Sequence, residues 1–477
     1  MSDDLHYITA TEAIELFKAR KLSPVELMQA MIERIEAINP QLNAFTYTFF
    51  ERALEQAKAA EDAYAKADNV RPLEGVPIVI KDLHAVAGEI TTMGSKAFAD
   101  NRPEKSAPTV DRLLKAGAIM HARSTTPEFA HGPYCKSDLW GVSRNPWNTD
   151  LSPGGSSGGG AAAVATGMSV LADGTDAAGS IRNPAAQCGI FGYDPPFGRN
   201  PLDTGLPRES FLHYGPMTRS VADAALMQNV TAGPHLDDAC SIRPKLEIPD
   251  VLEPIKGWKI AFSMDLGYFE VDEEVQKVTR QAAKAFEELG CTVEEVDVGW
   301  NFSVLDAQTT FQETLLAALG GDIYPRWKYE MDAMVRVGIE RGLQLSAKRY
   351  YDINFVRGKM YETLGPILEE YNVLLCPVLA LPSLPAVHDL LDTSLRINGK
   401  PITYGNQPGD KWLHWQMSYP FNMVPECPVA AVPAGFIAAG VPIGMQIVGQ
   451  TYDDISVFRA AADYERVRPW RDRHPPM

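Results

Sequence analysis

The chain has 477 residues, of which 45% are hydrophobic and 22% charged, a composition that is ordinary for a globular protein. Its formal net charge of −17 makes nucleic acid and anionic membrane surfaces poor partners. The sequence has no apolar run of 18 or more residues, and its first residues lack the basic and apolar parts of a signal peptide, so we expect a cytoplasmic protein. Six scattered cysteines without a C-x-x-C pair argue for a reduced compartment and against zinc, and most are expected to be buried structural thiols.

The first predicted elements are helices. Ser23–Glu26 is a capping box with proline at the first helical position. Apolar residues then recur at helical spacing, namely Val25, Met28, Ile32 and Ile35. A second helix is predicted over Tyr47–Ala67. We expect residues 1–70 to form a helical segment that wraps the outside of the core.

A buried strand is predicted next, over Gly75–Ile80, and it delivers Lys81 at its end. A lysine placed against an apolar strand is a candidate base, because desolvation lowers its pKa. A lysine after a strand is more often a solvated end residue. By itself, therefore, Lys81 would not indicate a function.

Two glycine-rich segments follow, Ser152–Gly160 and Gly174–Arg182, joined by the apolar run Ala161–Met168. Glycine lets backbone N–H groups turn toward a ligand and approach it closely. Serine supplies a nucleophile or a proton relay. Flexible linkers are the ordinary interpretation of such segments, but apolar sequence flanks both of them closely. Together with Lys81, their serines match the Ser-Lys variant of the catalytic triad.

A second hydrolase pattern lies in the first of these segments. Gly154–Gly158 satisfies G-x-S-x-G, the nucleophile elbow of α/β-hydrolases, with Ser156 as the nucleophile. That mechanism needs an acid and a histidine further along the chain. Five histidines are available there, namely His213, His235, His388, His414 and His474. None lies in a recognisable local signature, and the elbow leaves Lys81 and Ser180 without a role.

The chain resembles the amidase signature family, most densely from Gly75 to Arg199 and again from Pro428 to Gln450. The resemblance implies a Ser-cisSer-Lys triad in which Lys81 is the terminal base, Ser156 the bridging serine and Ser180 the nucleophile. It also implies a cis peptide bond immediately before the bridging serine. Such enzymes hydrolyse amide bonds, so the resemblance predicts an amidase.

Further site residues follow from the same resemblance. The backbone N–H groups expected to form the oxyanion hole are those of Ala177, Ala178, Gly179 and Ser180. The supporting residues are expected to be Ser157, Asp176 and Arg182. In the implied mechanism a neutral lysine takes a proton from the bridging serine, which takes one from the nucleophile, and the amide is cleaved through an acyl-enzyme. The protein supplies every catalytic group, so we expect no cofactor and no metal.

The chain departs from the family pattern at three places. Ala178 stands where a second glycine is more usual, and it narrows the space beside the nucleophile. Asp194 occupies a position that is usually basic, and Thr125 replaces an asparagine. None of these residues belongs to the triad, so they bear on the substrate rather than on the reaction.

The rest of the chain predicts an α/β fold. Trp258–Val298 has the pattern of strand, helix and strand, and Leu374–Leu381 and Val429–Val432 that of further strands. The resemblance implies a single α/β/α sandwich around a twisted, mostly parallel mixed sheet. We therefore expect one amidase domain over residues 1–477, with a catalytic signature core at 75–200 and a variable, substrate-pocket region at 300–425.

The variable region is rich in aromatic residues, some of which are expected to line the pocket. They are Tyr324, Trp327, Tyr329, Tyr350, Tyr351, Trp412, Trp415, Tyr419 and Phe421. Arg396–Lys400 carries the signal of a two-residue hairpin turn, a candidate flap at the entrance.

Such a pocket would suit small-molecule aryl or hydrophobic amides, with carbamates (urethanes) and esters as further substrates of the same mechanism. Two other functions stay open. One is a subunit that produces ammonia for a partner amidotransferase, and the other is a catalytically silent scaffold. The sequence does not predict an oligomeric state.

Overall fold

The computed structural model describes residues 5–203, 209–389, 391–392, 394–402 and 413–477. The helices are α1 Ala10–Lys18, α2 Pro24–Leu42, α3 Phe50–Lys66, α4 Pro108–Lys115, α5 Gly158–Ala165, α6 Arg182–Cys188, α7 Val221–Thr231, α8 Glu273–Glu288, α9 Ser303–Gly320, α10 Tyr324–Trp327, α11 Ala333–Gly342, α12 Ala347–Glu370, α13 Tyr419–Asn422 and α14 Asp454–Val467. The strands are β1 Phe45–Thr48, β2 Pro77–Lys81, β3 Ile119–Ser124, β4 Lys136–Ser137, β5 Gly141–Val142, β6 Leu171–Asp176, β7 Phe191–Asp194, β8 His213–Thr218, β9 Lys259–Phe262, β10 Thr292–Glu295, β11 Val373–Pro377, β12 Arg396–Ile397, β13 Lys400–Pro401, β14 Val429–Phe436 and β15 Pro442–Gly449.

Eleven of these strands form one mixed sheet, in the order β1-β3-β2-β6-β8-β7-β14-β15-β11-β9-β10. Parallel pairing joins β3, β2 and β6 on one side and β11, β9 and β10 on the other. The pairs between these two blocks are antiparallel, and β1 is an antiparallel edge strand. Helices α5 and α6 pack on each other and on the sheet, as do α7, α8 and α14. The predicted α/β/α sandwich is confirmed.

Most of the predicted elements are present, with shifted ends. The capping box at Ser23 begins α2, and Pro24 is its first residue. The strand–helix–strand unit is formed by β9, α8 and β10, and its two strands pair in parallel. The single helix expected over Tyr47–Ala67 is wrong at its start, because Tyr47 belongs to β1 and pairs with Arg123. The residues of β1 are aromatic or β-branched, types that favour a strand at the edge of a sheet.

Parallel pairing explains where the candidate site forms. Strands β2 and β6 are neighbours, with Ile78 opposite Leu171 and Val79 opposite Ala172. Their carboxyl ends therefore meet at one edge of the sheet, where ligand sites of α/β folds lie. Lys81 ends β2 at this edge and Asp176 ends β6.

The described residues include no helix that is both long and apolar enough to cross a membrane. Each of the six cysteines is a free thiol, and all but Cys240 are buried. The predicted structural thiols are therefore confirmed for most of them.

Candidate active site

Lys81 lies at the centre of the candidate site and has no solvent-exposed surface. Its Nζ is 2.7 Å from Ser156 Oγ, 2.9 Å from Ser157 Oγ and 2.7 Å from Thr175 Oγ1. All three partners of the amine are hydroxyl groups, and no carboxylate pairs directly with it in the described part of the chain. The lysine is thus buried without a counter-ion.

Burial lowers the pKa of Lys81 from its usual value to about 7. Three acidic groups act in the opposite direction through their charge, namely those of Cys135, Asp173 and Asp176. They are too weak to offset desolvation. Near neutral pH a large share of the amine is therefore unprotonated and able to accept a proton.

The backbone of Lys81 is held from two sides. Its N–H donates to Asp173 Oδ1 at 2.7 Å, and its carbonyl accepts from the Arg123 guanidinium at 3.0 Å. The other carboxylate oxygen of Asp173 contacts His84 Nδ1, and Arg123 also donates to the His84 carbonyl at 2.7 Å. These buried contacts fix the end of β2 and with it the direction of the lysine side chain.

The peptide bond between Gly155 and Ser156 is cis. A Cβ atom at Gly155 would lie 2.3 Å from the carbonyl oxygen of Tyr134, and one at Gly154 would lie 2.7 Å from Cα of Pro184. Gly154 also has a φ of +84°, which disfavours other residues. Neighbouring backbone lies so close to Gly154 and Gly155 that neither position accepts a side chain. In this arrangement the Ser156 hydroxyl contacts the Lys81 amine.

Ser180 lies in the loop between β6 and α6 and is half-buried. Its carbonyl accepts from the N–H of Ser157 at 3.2 Å, which joins the two glycine-rich segments. Gly179 has a φ of +102°, and a Cβ there would lie 1.8 Å from Ser418 Oγ. Glycine is the residue that this turn accepts.

The four amides predicted for the oxyanion hole differ in their contacts. The Gly179 N–H donates to Asp176 Oδ1 at 2.6 Å, so it is already used within the loop. The N–H groups of Ala177, Ala178 and Ser180 donate to no other group among the described residues. Three of the four N–H groups are therefore available as donors. Gly179 N–H closes the turn in this structure, and its part in the oxyanion hole stays a prediction.

Two charged pairs lie directly beneath this loop and form one buried cluster. Arg182 contacts Asp176 at 2.9 Å and Asp194 at 3.1 Å. His213 Nδ1 lies 2.7 Å from Asp194 Oδ1, and its Nε2 lies 3.0 Å from the Ser210 carbonyl. Both ring nitrogens therefore face acceptor groups, an arrangement that suits the doubly protonated ring. Burial raises the pKa of Asp194, while His213 and Arg182 act to lower it.

The charges of this cluster shift its pKa values. Burial alone would raise the pKa of Asp176, but Arg182 and several hydrogen bonds lower it below its usual value. Burial alone would lower the pKa of Arg182, and the two carboxylates raise it. For His213, the nearby Asp194 outweighs burial and raises the pKa. Asp194, which departs from the family pattern, thus belongs to the charge cluster that supports the loop.

A cavity opens beside Ser156 and Ser180, and its walls are mostly apolar. Its enclosed volume is about 60 Å³. The lining residues are Leu83, Met93, Phe129, Ala130, His131, Gly132, Ser156, Thr175, Ala177, Ala178, Ser180, Leu212, Gln312, Leu315, Leu316, Leu319 and Gln416. Three of the wall residues, Met93, Phe129 and Ala130, have φ values of 51° to 54°, which non-glycine residues rarely adopt. Such strain is concentrated at functional sites.

None of the described aromatic residues expected in the pocket lines this cavity. Trp415, Tyr419 and Phe421 are buried in the main core, whereas Tyr329 and Tyr351 are largely exposed. Trp412 lies outside the described residues. The aromatic residue that does line the cavity is Phe129, from the signature core. Helix α9 supplies leucines and Gln312, so the expected variable region contributes aliphatic rather than aromatic walls.

The predicted hairpin at Arg396–Lys400 is confirmed. Ile397 pairs with Lys400, and Asn398 and Gly399 both have positive φ values of 51° and 72°. The hairpin borders a separate surface cavity together with Tyr268 and Phe302. A role as a flap over the catalytic cavity stays a prediction.

Sequence reasoning missed four residues that the fold brings to the site. Thr175 contacts the lysine amine, and Asp173 holds the lysine backbone. His131 and Gln312 lie in the cavity wall and hydrogen-bond to each other, while burial lowers the pKa of His131 to about 4. Thr175 lies in the glycine-rich segment Gly174–Arg182, and its hydroxyl could have been recognised there as a candidate site group. The other three carry no local signal.

The histidines proposed for an elbow mechanism do not line the cavity in the described structure. His213 has both ring nitrogens occupied, and the Ser156 hydroxyl contacts a lysine. The described residues also contain no cluster of three or more histidine, cysteine, aspartate or glutamate side chains arranged for a metal ion.

Comparison with known proteins gives consistent results. A family model described as Amidase matches residues 26–458. The chain is 35% identical to an acylamidase of Rhodococcus erythropolis, over 99% of this chain and 98% of the relative. It is 32% identical to a glutamyl-tRNA(Gln) amidotransferase subunit of Chloroflexus aggregans, over 99% of each. The solved structure of a bacterial aryl acylamidase, one of the amidase signature enzymes, is similar with a TM-score of 0.91, 30% identity and 98% coverage of both chains.

Proposed function

The chain belongs to the amidase family and is an amide hydrolase, and on this premise we propose that it works through a Ser-cisSer-Lys triad. Ser180 is the nucleophile, Ser156 the bridging proton relay and Lys81 the terminal base. The N–H groups of Ala177, Ala178 and Ser180 stabilise the oxyanion.

The observation that carries this proposal is the set of contacts around the lysine amine. A neutral amine has two N–H bonds and one lone pair, and Nζ has three hydroxyl neighbours within 2.9 Å. Ser157 and Thr175 can accept its two N–H bonds, while Ser156 donates its proton to the lone pair. The pKa of about 7 makes this neutral form available at neutral pH. A purely structural lysine would instead have a carboxylate partner.

The reaction follows from these positions. As Lys81 takes the Ser156 proton, Ser156 takes the Ser180 proton, and Ser180 Oγ forms a bond to the amide carbon. The C–N bond then breaks as the relay runs backward and protonates the leaving nitrogen. An acyl-enzyme is left on Ser180. Water repeats the sequence, releases the carboxylic acid and restores the serine.

The cavity supports acyl groups with apolar surface as substrates. Its walls are largely aliphatic, with Phe129 as the aromatic member. Two similar proteins are named acylamidase and aryl acylamidase, and these names are consistent with such substrates. The enclosed volume of about 60 Å³ is below the roughly 150 Å³ of a cavity that takes benzene. A bulky substrate must therefore extend toward the opening or displace wall side chains. Carbamates and esters present the same carbonyl to the same donors.

A second candidate is an ammonia-producing subunit, since a relative of that kind matches the whole chain at 32% identity. Glutamine is polar at both ends, and the described cavity wall offers it few polar groups. A stand-alone amidase is therefore favoured. Glutamine hydrolysis that depends on an added partner protein is the outcome that would reverse this preference.

The proposal is tested by measuring amine release from panels of aryl amides, aryl carbamates and primary amides. We expect turnover that disappears in Ser180→Ala and survives in Ser169→Ala, a buried serine whose hydroxyl bonds to the Leu171 carbonyl. Persistent turnover in Ser180→Ala would mean that another residue is the nucleophile. No turnover by the native chain on any panel would shift the assignment to the partner-dependent subunit or to a catalytically silent scaffold.

A further inference from the structure

The loop Ala177–Ser180, which we call the oxyanion loop, is held by side chains from other parts of the chain. No step of the proposed mechanism uses these side chains. The Ala177 carbonyl accepts from Gln308 Nε2 at 3.0 Å and from Gln312 Nε2 at 3.4 Å. The Ala178 carbonyl accepts from Ser418 Oγ at 3.0 Å. Since Gly179 N–H is bound by Asp176, both peptide planes on either side of Ala178 are fixed.

The two glutamines come from one helix that lies far away in sequence. They are four residues apart on α9, so they project from the same helical face. Gln308 is wholly buried and Gln312 nearly so. Gln312 also lines the cavity, whereas Gln308 does not. Both side chains reach the Ala177 carbonyl from α9.

Holding a carbonyl also orients the next N–H. A trans peptide is planar, and its C=O and N–H point in opposite directions. The Ala177 carbonyl faces α9, so the N–H of Ala178 in the same plane points away from that helix. Ala177 and Ala178 both line the cavity beside Ser180.

We propose that Gln308, assisted by Gln312, is a positioning residue for the oxyanion hole: it holds the Ala177–Ala178 peptide so that the Ala178 N–H points at the oxygen that becomes negative. The inference rests on the proposed nucleophile Ser180. Neither glutamine touches the reacting atoms.

The other end of the Gln308 side chain makes no comparable contact. Its Oε1 is buried and has no hydrogen-bond partner among the described residues. A buried acceptor without a partner costs stability, so an apolar side chain of similar shape would suit the fold better. The end of Gln308 that has a partner is therefore the donor end, and its partner is the Ala177 carbonyl.

The test replaces Gln308 by methionine, which keeps the length of the side chain and removes the donor. Removing an oxyanion donor outright costs about 10²–10³-fold in kcat, and misorienting one should cost about ten- to a hundredfold. We expect that loss in kcat for an aryl amide, with KM changed less than about twofold. The affinity for an aryl trifluoromethyl ketone, which forms a tetrahedral adduct with a serine, should fall by the same factor. The affinity for the carboxylic acid product should not.

Two further variants complete the design. Gln312→Met should lose less than Gln308→Met, because its contact is longer. The matched control is Thr310→Val on the same helix. Among the described residues, the Thr310 hydroxyl bonds only to the Asp306 carbonyl. This variant should leave both kcat and the ketone affinity unchanged.

The melting temperature separates a positioning role from a structural one. It should stay the same or rise in Gln308→Met, because the unpaired acceptor is gone. An unchanged kcat, or a fall of kcat, product affinity and melting temperature together, would overturn the inference while Ser180→Ala remains inactive. If Ser180→Ala keeps its activity, the proposed function fails first, and the inference falls with it.

Discussion

Arg182 and Lys81 are both completely buried basic side chains of this site, and their surroundings are opposite. Arg182 has two carboxylate partners and also donates to the Ser418 carbonyl, Gln446 and Asn422. Lys81 has three hydroxyl neighbours. The pKa of the arginine is raised, and that of the lysine is lowered to about 7.

The difference separates a charge that holds the fold from a group that we propose exchanges protons. A buried charge costs free energy unless it is paired and hydrogen-bonded. Arg182 meets this condition and stays charged, so it fixes the loop that carries Ser180. Lys81 does not meet this condition. The free energy of burying its charge therefore favours the neutral amine and lowers its pKa. Four predictions test this contrast, from the largest effect to the smallest.

Replacing Lys81 by methionine should abolish most amide hydrolysis. The base of the relay is lost, and relay catalysis of this type contributes about 10²–10⁴-fold. The loss is measured as kcat/KM on the best aryl amide, with Lys115→Met as an exposed-lysine control. An unchanged rate in a folded variant would remove the lysine from the mechanism and favour a serine–histidine pair.

Replacing Arg182 by methionine should mainly cost stability. Asp176 and Asp194 would remain buried without their cation, and breaking such a pair costs about 3–5 kcal/mol in the free energy of unfolding. Urea denaturation followed by circular dichroism measures this change. Arg280→Met, which removes an exposed pair with Glu295, should cost at most about 1 kcal/mol. Equal losses in the two arginine variants would contradict the structural role of the buried cluster.

The pH dependence should follow the neutral fraction of Lys81. With a pKa of about 7, kcat/KM should fall about tenfold per pH unit below that value and level off above it. The unfolded chain holds the same proton up to its usual pKa of 10.5. Between the two values the unfolded state therefore binds more protons, and raising the pH stabilises the fold.

Lys81→Met removes this linkage, so the variant should gain stability over the native chain most clearly below pH 7. The gain should shrink as the pH approaches 10.5. A pH–activity midpoint near 10 would show that the lysine is not desolvated, and a stability difference independent of pH would lead to the same conclusion.

The smallest effect concerns Asp173, which bonds to the lysine backbone and acts on its charge. Three acidic groups raise the pKa of Lys81 against desolvation, those of Cys135, Asp173 and Asp176. Asp173→Asn keeps an oxygen for the Lys81 N–H and removes one negative charge, so the activity midpoint should move to lower pH. Asp238→Asn, which accepts from the Leu202 N–H on another loop, is the control. A midpoint that moves upward would contradict this electrostatic account.

Much of the fold could be predicted from local patterns. The capping box at Ser23 and the strand that ends at Lys81 depend on neighbouring residues, and both are present. The error at Tyr47 arose where a distant strand, β3, pairs with the segment. The expectation that aromatic residues line the pocket is wrong for the described ones. Hydrophobicity predicts burial, and it does not distinguish a core from a cavity wall.

The sequence by itself determined the candidates for the chemistry, because two glycine-rich segments and a strand-end lysine have compositions and spacings that few structural roles require. Tertiary structure decided how those groups are oriented and which pKa values they have. The Ala177 carbonyl meets Gln308 across 131 residues, and the pKa of Lys81 depends on burial by the whole sheet edge. Desolvation and long-range hydrogen bonds arise only when distant segments pack together, so no local pattern encodes them.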